Sequence, residues 1–195
     1  MDGFEKRKEQ KKDSIRKAAL ELYRTYGLRK VSVAEIARKA GVSQVTIYNY
    51  FNSKENLKRD VLKWFISRQV EQYEKVMRSA RPFQEKLEQI LFDKSGLISE
   101  FQGEMVTVVL QEDPELRDYL MDIYQNRISP AVMAFFAEGR ESGYIDPKFK
   151  IETILFYFEV LRRGFFAIDD IGTYQQKDPE IFKQLAELVT YGLNG

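Results

Sequence analysis

A short run of polar and aromatic side chains between residues 44 and 50 is the part of this sequence best suited to chemistry. Gln44, Thr46 and Asn49 carry hydrogen-bonding groups, and Tyr48 and Tyr50 add hydroxyls on flat rings. Such groups bond to the edges of bases and to phosphate oxygens. The spacing predicts that they point outward from a short helix. Three apolar residues are spaced to face inward: Ala37, Val42 and Ile47.

A helix-turn-helix would hold those side chains in place. Ser32 and Glu35 have the spacing of a capping box, which starts a short helix that ends before Gly41. Ser43 is suited to cap a second short helix over residues 44–50. Two short helices joined by a glycine turn are typical of the unit that places its second helix in the major groove of DNA.

Apolar residues recur at three- and four-residue steps through most of the chain, which predicts an all-α fold of about nine helices. The first helix is predicted to begin near Asp13 and to stop at Gly27, and the fourth to run from Ser53 to about Ser79. One face of the first helix is predicted to contain six residues: Ile15, Ala18, Ala19, Leu22, Tyr23 and Tyr26.

Beyond Pro82 the same periodicity predicts further helices at about 82–101 and 104–111, and one that begins at Asp113. Pro130 predicts a kink in that last helix, or a split near Ser129. Strong stop signals follow at 139–147. Two final helices are predicted at about 148–168 and 178–193.

The chain of 195 residues contains neither histidine nor cysteine. Zinc sites built on those residues are therefore excluded, as are Ser-His and Cys-His nucleophile pairs. Since the sequence also lacks a phosphate-binding glycine loop, we expect no enzymatic activity, no cofactor and no metal. No apolar run approaches the roughly 20 residues of a membrane helix, and the charged N-terminus has no signal-peptide core, which predicts a cytoplasmic protein.

Charge is distributed unevenly along the chain. Residues 1–60 contain 15 Lys and Arg against 8 Asp and Glu, a net charge of +7, whereas residues 61–195 contain 16 against 22, a net charge of −6. The basic end is the part that a polyanion such as DNA would bind. The alternative is that the charged N-terminus only keeps the protein soluble.

The run from Ile15 to Leu57 resembles the DNA-binding domain of the TetR family of bacterial ligand-responsive repressors. The matching residues fall in four groups: Ala18, Ala19, Leu22, Tyr26 and Gly27; Val31, Ser32, Val33, Ile36 and Ala37; Ala40, Gly41, Val42 and Ser43; and Thr46, Ile47, Tyr48, Asn49, Tyr50, Phe51, Lys54, Glu55, Asn56 and Leu57. We therefore expect a three-helix DNA-binding domain over 1–52, with a disordered basic N-terminus, and a helical effector-binding and dimerisation domain over 53–195.

The resemblance also implies individual DNA contacts. Ser32 and Lys54 would hold phosphates. Tyr48 and Tyr50 would contact the backbone or thymine methyls, and three residues would lie nearest the bases: Gln44, Thr46 and Asn49. Ser43 and Val45 complete the predicted DNA-binding set. Many family members carry a small residue such as Gly in place of Val45, so the base sequence that they recognise is not carried over. The alternatives are a core position for Tyr48 and an ordinary solvated side chain for Lys54.

The predicted helix at 148–168 is apolar all round, so it must be buried on both faces. One face can meet the core of the chain and the other a second subunit, together with the helix at 178–193. The predicted homodimer interface contains six residues: Ile154, Phe158, Leu161, Phe165, Leu185 and Leu188. The alternative is a central helix in a monomer. Glu159, Arg162 and Arg163 interrupt the apolar surface, either as an ion pair or with an arginine directed at an acidic ligand.

The second half of the chain is rich in aromatic residues, which by default form a core. The resemblance implies that a small, largely apolar effector binds among helices four to eight. The predicted pocket contains six residues: Phe65, Phe101, Met105, Tyr124, Phe158 and Arg162. The expected function is that of a homodimeric repressor that an effector releases from operator DNA. The alternative is an all-α module that binds a small molecule or a protein partner and does not bind DNA.

Overall fold

The computed structural model describes residues 3–92, 112–167 and 180–194, and every regular element within them is helical. The α-helices, numbered along the chain, are α1 (Gly3–Tyr26), α2 (Val33–Ala40), α3 (Gln44–Phe51), α4 (Lys54–Met77), α5 (Phe83–Phe92), α6 (Pro114–Ile123), α7 (Ser129–Glu141), α8 (Ile151–Ala167) and α9 (Ile181–Asn194). The all-α prediction is confirmed for this part of the chain. The helix predicted at 104–111 lies outside the described residues. None of the described helices has the length and apolarity needed to cross a membrane.

The first of two compact units comprises Met1–Gln69 and Phe101–Met121. Within it α1 packs on α2, and α2 packs on α3. Its most deeply buried side chains include Ile15, Ile36, Ile47, Leu57 and Leu62. The unit includes residues on both sides of the predicted boundary between the DNA-binding domain and the effector-binding domain, at residues 52 and 53. That functional boundary stays a prediction.

Helix α1 begins ten residues earlier than the sequence predicts. It starts at Gly3 and not at Asp13, so the basic segment expected to be disordered is helical. Lys, Arg, Glu and Gln dominate residues 5–12, and all four are good helix formers. Asp13 is an ion-pair partner of Arg16 and not an N-cap. At the other end Tyr26 is 58% exposed, so its predicted place on the buried face is wrong.

A buried arginine fastens α1 to α4 within this unit. Arg16 is only 8% exposed, and its Nε donates to Asp60 Oδ1 at 2.6 Å. Its Nη1 donates to Glu9 at 2.5 Å and to Asp13 at 2.9 Å. Burial by itself would lower the pKa of Arg16, but the hydrogen bonds to Asp60 and Glu9 raise it overall. The guanidinium is therefore permanently charged and fully engaged.

A second set of ion pairs joins α4 to the start of α6. Asp113 accepts a hydrogen bond from the backbone N–H of Leu116 at 3.0 Å, so it caps α6. Arg59 Nε lies 3.1 and 3.0 Å from the two carboxylate oxygens of Asp113. Lys63 donates to Glu115 at 2.6 Å. Each of these pairs lies within the first unit.

The second compact unit comprises Val70–Glu100 and Asp122–Gly195. Its core is an apolar cluster of seven buried residues: Phe83, Leu87, Phe135, Phe136, Ile145, Ile154 and Val189. Gly139 lies against this cluster, because a Cβ added there would come within 2.7 Å of Ile145 Cδ1 and of the Phe83 ring. The unit therefore packs α5, α7, α8 and α9 around one core.

Lys86 of α5 is buried in the second unit. It is 1% exposed, and its Nζ donates to both oxygens of Glu138 at 2.6 and 2.7 Å. The same ammonium donates to the carbonyl oxygens of Met77 at 3.0 Å and Ser79 at 3.2 Å. A lysine charge at these carbonyls satisfies the C-terminal end of α4, whose last groups have no partner within the helix.

The predicted break near Ser129 is confirmed, and it takes an unexpected form. A π-helical segment, Tyr124–Ile128, separates α6 from α7. Pro130 has no N–H, so it cannot donate to the carbonyl four residues earlier. The N–H of Ser129 donates to Tyr124 O, five residues back, which is the π register. Arg127 within the segment binds both carboxylate oxygens of Glu74 at 3.2 and 2.7 Å.

Helices α8 and α9 each place one side in the core of the second unit and leave apolar groups exposed elsewhere. Ile154 of α8 is 1% exposed and Val189 of α9 is buried in the same cluster. By contrast Phe156 is 71% exposed. The other exposed large apolar residues among the described side chains of the two helices are Leu155, Tyr157, Val160, Leu185, Leu188 and Tyr191. A single chain therefore buries only part of the apolar surface that the sequence predicts to be buried.

Asp113 makes stability depend on pH in a defined direction. Burial alone would raise the pKa of Asp113, but the Leu116 N–H and the Arg59 guanidinium hold it below its ordinary value. A lowered pKa stabilises the fold at neutral pH, and this contribution is lost as the pH falls through the folded-state pKa. We expect Asp113→Asn to reduce the free energy of unfolding at pH 7 by about 1 kcal/mol, since Asn keeps the cap but loses the charge.

Urea unfolding measured between pH 7 and about pH 2 tests this expectation. The difference between Asp113→Asn and the wild type should shrink below about pH 4, where the unfolded carboxyl becomes protonated. Asp118→Asn, an exposed position on the same helix, is the control and should change little. A difference that stayed constant across the whole pH range would contradict a role for the charge.

Candidate nucleic-acid interface

Helix α2 begins at the capping box that the sequence predicts. The N–H of Glu35 donates to Ser32 Oγ at 3.3 Å, and the N–H of Ser32 donates to Glu35 Oε2 at 2.8 Å. The hydroxyl of Ser32 donates to the same carboxylate oxygen at 2.6 Å. These bonds from Ser32 hold the pKa of Glu35 below its ordinary value. The Ser32 hydroxyl therefore has a charged partner inside the protein.

The turn between α2 and α3 depends on the backbone conformation of Gly41. Its φ is +67° and its ψ +33°, the left-handed region that side chains disfavour. A Cβ added at Gly41 would meet nothing within 4 Å, so conformation and not space favours glycine here. The N–H of Val42 donates to Ala37 O at 3.0 Å, which closes the end of α2. The predicted glycine turn is confirmed.

Helix α3 has the two faces that the sequence predicts. Ile47 and Phe51 are buried, at 1% and 4% exposure. Four predicted DNA-binding side chains are exposed: Gln44, Val45, Tyr48 and Asn49. Thr46 and Tyr50 are half-buried. The opposite face of α3 therefore presents two amides, a tyrosine and an exposed valine together.

The N-terminus of α3 is capped by its own side chains. The N–H of Thr46 donates to Ser43 Oγ at 3.0 Å, which confirms Ser43 as the N-cap. The hydroxyls of Ser43 and Thr46 also lie 2.9 Å apart. The Thr46 hydroxyl thus has a partner within the helix, unlike a side chain that points freely into solvent.

Lys54 lies at the start of α4, beside the loop that leads into α2. Its Nζ donates to Arg29 O at 3.4 Å, and its charge contributes to the lowered pKa of Glu35. The N–H of Asn56 donates to Ser53 Oγ at 3.0 Å, so the predicted Ser53 cap is confirmed. The structure therefore brings Lys54 close to the N-terminal end of α2, where Ser32 lies.

One basic residue near α3 is absent from the predicted set. The Nζ of Lys12 on α1 lies 5.8 Å from the centroid of the Phe51 ring, at the end of α3. The sequence signal for it is the helical spacing of Lys12 with Ile15 and Ala19, two buried residues of α1. That signal requires α1 to begin before Asp13, whereas the sequence analysis predicted a start near Asp13.

The geometry of residues 32–54 agrees with the comparison to known proteins. Residues 15–61 match the model of bacterial regulatory proteins of the tetR family. The match covers 47 of the 195 residues, so it concerns the helix-turn-helix segment and not the whole chain. The match begins at Ile15, a buried residue of α1, and it includes the whole of α2 and α3. The matched segment is thus similar to the DNA-binding region of TetR-family transcriptional regulators.

Two proteins similar to this chain come from Bacillus subtilis (strain 168). The HTH-type transcriptional regulator YvdT is 25% identical over 186 residues, which cover 93% of this chain and 92% of YvdT. The fatty acid metabolism regulator protein is 27% identical over 143 residues, which cover 72% of this chain and 73% of that protein. Both are regulators, in agreement with the expectation that the chain is not an enzyme.

A solved structure extends the likeness over most of the chain. The transcriptional regulator FadR from Bacillus subtilis, in complex with stearoyl-CoA, is 23% identical to this chain with a TM-score of 0.54. The alignment covers 93% of this chain and 97% of that chain. At this identity the likeness shows a shared fold.

The predicted effector pocket is described only in part. Phe65 is buried in the first unit, and the guanidinium of Arg24 lies 5.4 Å from the centroid of its ring. Tyr124, in the π-helical segment, is 52% exposed. Phe101 and Met105 lie outside the described residues, as do the side chains of Phe158 and Arg162. The pocket stays a prediction.

The predicted dimer interface divides into buried and exposed positions. Ile154 is buried within its own chain, so it offers no open surface to a second one. Leu161 is half-buried and packs against the core of the second unit. Leu185 and Leu188 are exposed. Two side chains lie outside the described ones: Phe158 and Phe165.

Proposed function

We propose that this protein is a TetR-family regulator that represses transcription by binding operator DNA as a homodimer, and that a small-molecule effector releases it. The observation that carries the proposal is the division of α3 into two faces. Ile47 and Phe51 are buried, whereas Gln44, Val45 and Asn49 are exposed. A short helix that is anchored on one side and exposes such groups on the other is suited to enter the major groove.

Each exposed group on α3 has a chemical partner in that groove. The amides of Gln44 and Asn49 can bond N6 and N7 of adenine. Val45 is 67% exposed, and the apolar feature of the major groove is the methyl group of thymine. The phenol rings of Tyr48 and Tyr50 are suited to phosphate oxygens or to thymine methyls. Together these groups favour an operator rich in A·T pairs at the positions that α3 reads.

Phosphate binding is assigned mainly to Lys54. The hydroxyl of Ser32 already donates to Glu35, so a phosphate contact there would have to replace that hydrogen bond. The hydroxyls of Ser43 and Thr46 are hydrogen-bonded to each other, which uses the proton of one of them and leaves the other able to donate. Lys54 carries a full charge, and its hydrogen bond to a backbone carbonyl is long at 3.4 Å. Exchange of that bond for a phosphate contact costs little, and it releases a counterion from the DNA.

Selection from a random duplex library, followed by binding measurements on the selected operator, tests the DNA proposal. We expect Lys54→Ala to weaken binding to every sequence by a similar factor. The slope of log K against log salt should fall by about 1 for each protomer. Lys75→Ala is the matched control, because Lys75 is an exposed lysine of α4 that pairs with Glu71 in the second unit.

Two outcomes would contradict these expectations. Lys54→Ala with an unchanged affinity and salt slope, and with its helical circular dichroism intact, would show that Lys54 holds no phosphate. A wild-type protein that selects no sequence would overturn the operator proposal. It would favour an all-α module that binds a small molecule or a protein partner.

The effector is proposed to be a long-chain acyl thioester of coenzyme A. This proposal is supported by two similarities, to the fatty acid metabolism regulator protein and to the FadR structure in complex with stearoyl-CoA. A largely apolar chain also suits a pocket lined by aromatic residues. An effector that binds one conformation better than the other releases DNA in proportion to that difference in affinity.

Stearoyl-CoA added to the complex of protein and selected operator tests the effector proposal. We expect operator affinity to fall by about 5- to 150-fold, the range of ordinary allosteric coupling. Stearate and coenzyme A, each added alone below the micelle concentration of the thioester, are the matched controls and should release less DNA. An unchanged operator affinity in saturating stearoyl-CoA would exclude this effector class.

The homodimer proposal is supported by the exposed apolar groups of α8 and α9. Phe156 and Leu188 are 71% and 66% exposed, although Ile154 and Val189 on the same two helices are buried in the core. Exposed apolar surface of this kind is typical of an interface between subunits. A two-fold dimer would also present two copies of α3 to two half-sites on one face of the DNA.

Light scattering tests the dimer directly. We expect the wild type to have twice the 23.0 kDa mass of one chain at micromolar concentration. Leu188→Asp should shift the mass toward that of one chain, because burying a charge without a partner is costly. Val45→Asp adds the same charge at an exposed valine of α3, and it should leave the mass unchanged while weakening DNA binding. A wild-type mass near 23 kDa would contradict the proposal.

A further inference from the structure

The N-terminal part of α1 projects beyond the domain that matches the family. The match begins at Ile15, which is the first buried residue among the described side chains of α1, whereas the helix begins at Gly3. We name residues 3–12 the N-terminal extension. It contains five basic residues, Lys6, Arg7, Lys8, Lys11 and Lys12, against two glutamates. Its net charge is therefore +3.

The acidic residues near the extension lie along one line of the helix. Glu5, Glu9 and Asp13 follow each other at four-residue steps, so they share a face. Glu9 and Asp13 bind Arg16, which in turn binds Asp60 of α4. This face is thus directed toward an interaction inside the first unit, which fixes the rotation of the extension about its axis.

The basic residues lie on other sides of the extension and repel one another. Arg7 and Lys11 are four residues apart, as are Lys8 and Lys12, and both spacings make neighbours on a helix. Like charges at this spacing destabilise a helix slightly. Arg7 and Lys11 are exposed. The Nζ of Lys8 lies 3.9 Å from Glu5 Oε1, a long distance for an ion pair. A polyanion bound along these residues would turn the repulsion into attraction.

Lys12 lies next to α3, so the side of the extension that contains Lys8 and Lys12 is near that helix. Its ammonium lies 5.8 Å from the centroid of Phe51, the last residue of α3. Lys8 precedes Lys12 by one helical turn on the same side. The side that contains Lys8 and Lys12 therefore extends away from the C-terminal end of α3, the helix that is proposed to read the bases.

We propose that the N-terminal extension is an auxiliary DNA-binding surface, in which Arg7, Lys8 and Lys11 bind phosphates of the duplex that flanks the half-site read by α3. The proposal rests on the operator-binding function proposed above and adds a second contact to it. Ten helical residues span about 15 Å, which is the length of about four base pairs. The contact is independent of base sequence, because phosphates carry no sequence information directly.

A triple variant, Arg7→Ala, Lys8→Ala and Lys11→Ala, removes the proposed contacts and keeps the helix, since alanine is the best helix former. Lys12 is left in place because it touches Phe51. The matched control is Lys75→Ala, Lys148→Ala and Lys150→Ala, which changes the net charge by the same amount at exposed lysines of the second unit. Circular dichroism and urea unfolding of both variants report whether the fold is intact.

Binding is measured on the selected operator with long flanks, and again after both flanks are shortened by about five base pairs. On the long duplex the triple variant should bind roughly tenfold more weakly at low salt, and its salt slope should fall by about 2 to 3 for each protomer. The control should bind as the wild type does. Shortening the flanks should weaken binding of the wild type and leave the triple variant nearly unchanged.

A triple variant that matches the wild type in affinity and salt slope on the long duplex would overturn this proposal, while base reading by α3 would stand. The proposal would also be overturned if shortening the flanks weakened the binding of both proteins by the same factor. A variant that precipitates but binds the long duplex normally would assign the extension to solubility. If the wild type selected no operator, the proposed operator-binding function would be contradicted, and the phosphate contact of the extension would be contradicted with it.

Discussion

The ion pair between Arg16 and Asp60 is the interaction on which the arrangement of the first unit depends. It fixes α1 to α4, and α2 and α3 pack in turn on α1 and on each other. Arg16 is almost completely buried, so its charge must keep its carboxylate partners in the folded state. The same guanidinium binds Glu9 and Asp13, and it therefore orients the N-terminal extension as well as the core of the unit.

Local signals in the sequence predicted the helix-turn-helix well. The capping box at Ser32, the cap at Ser43 and the turn at Gly41 each depend on residues within about five positions of one another, so the sequence contains the whole interaction. The early start of α1 was missed because Asp13 is typical of an N-cap, although residues 5–12 before it are all good helix formers. The π register before α7 was also missed, since Pro130 indicates a break but not its form.

The two faces of α3 were also predictable, because they too depend on residues close together in the sequence. A period of 3.6 residues is enough to place Ile47 and Phe51 inside and Gln44, Val45 and Asn49 outside. It cannot show that the hydroxyls of Ser32 and Thr46 are already hydrogen-bonded, because that depends on rotamers. Exposure of Phe156 and burial of Ile154, two residues apart on an all-round apolar helix, likewise needed the packed core.

Two glycines show how differently a fold can constrain the same residue. At Gly41 no atom lies within 4 Å of an added Cβ, and only the positive φ disfavours a side chain. At Gly139 the φ is that of an ordinary helix, and the obstacle is the Phe83 ring and Ile145. Tolerance at Gly41 should therefore be nearly independent of side-chain size and highest for asparagine, which tolerates this conformation. Tolerance at Gly139 should fall steadily with volume, so that a mutational scan would distinguish a conformational constraint from a steric one.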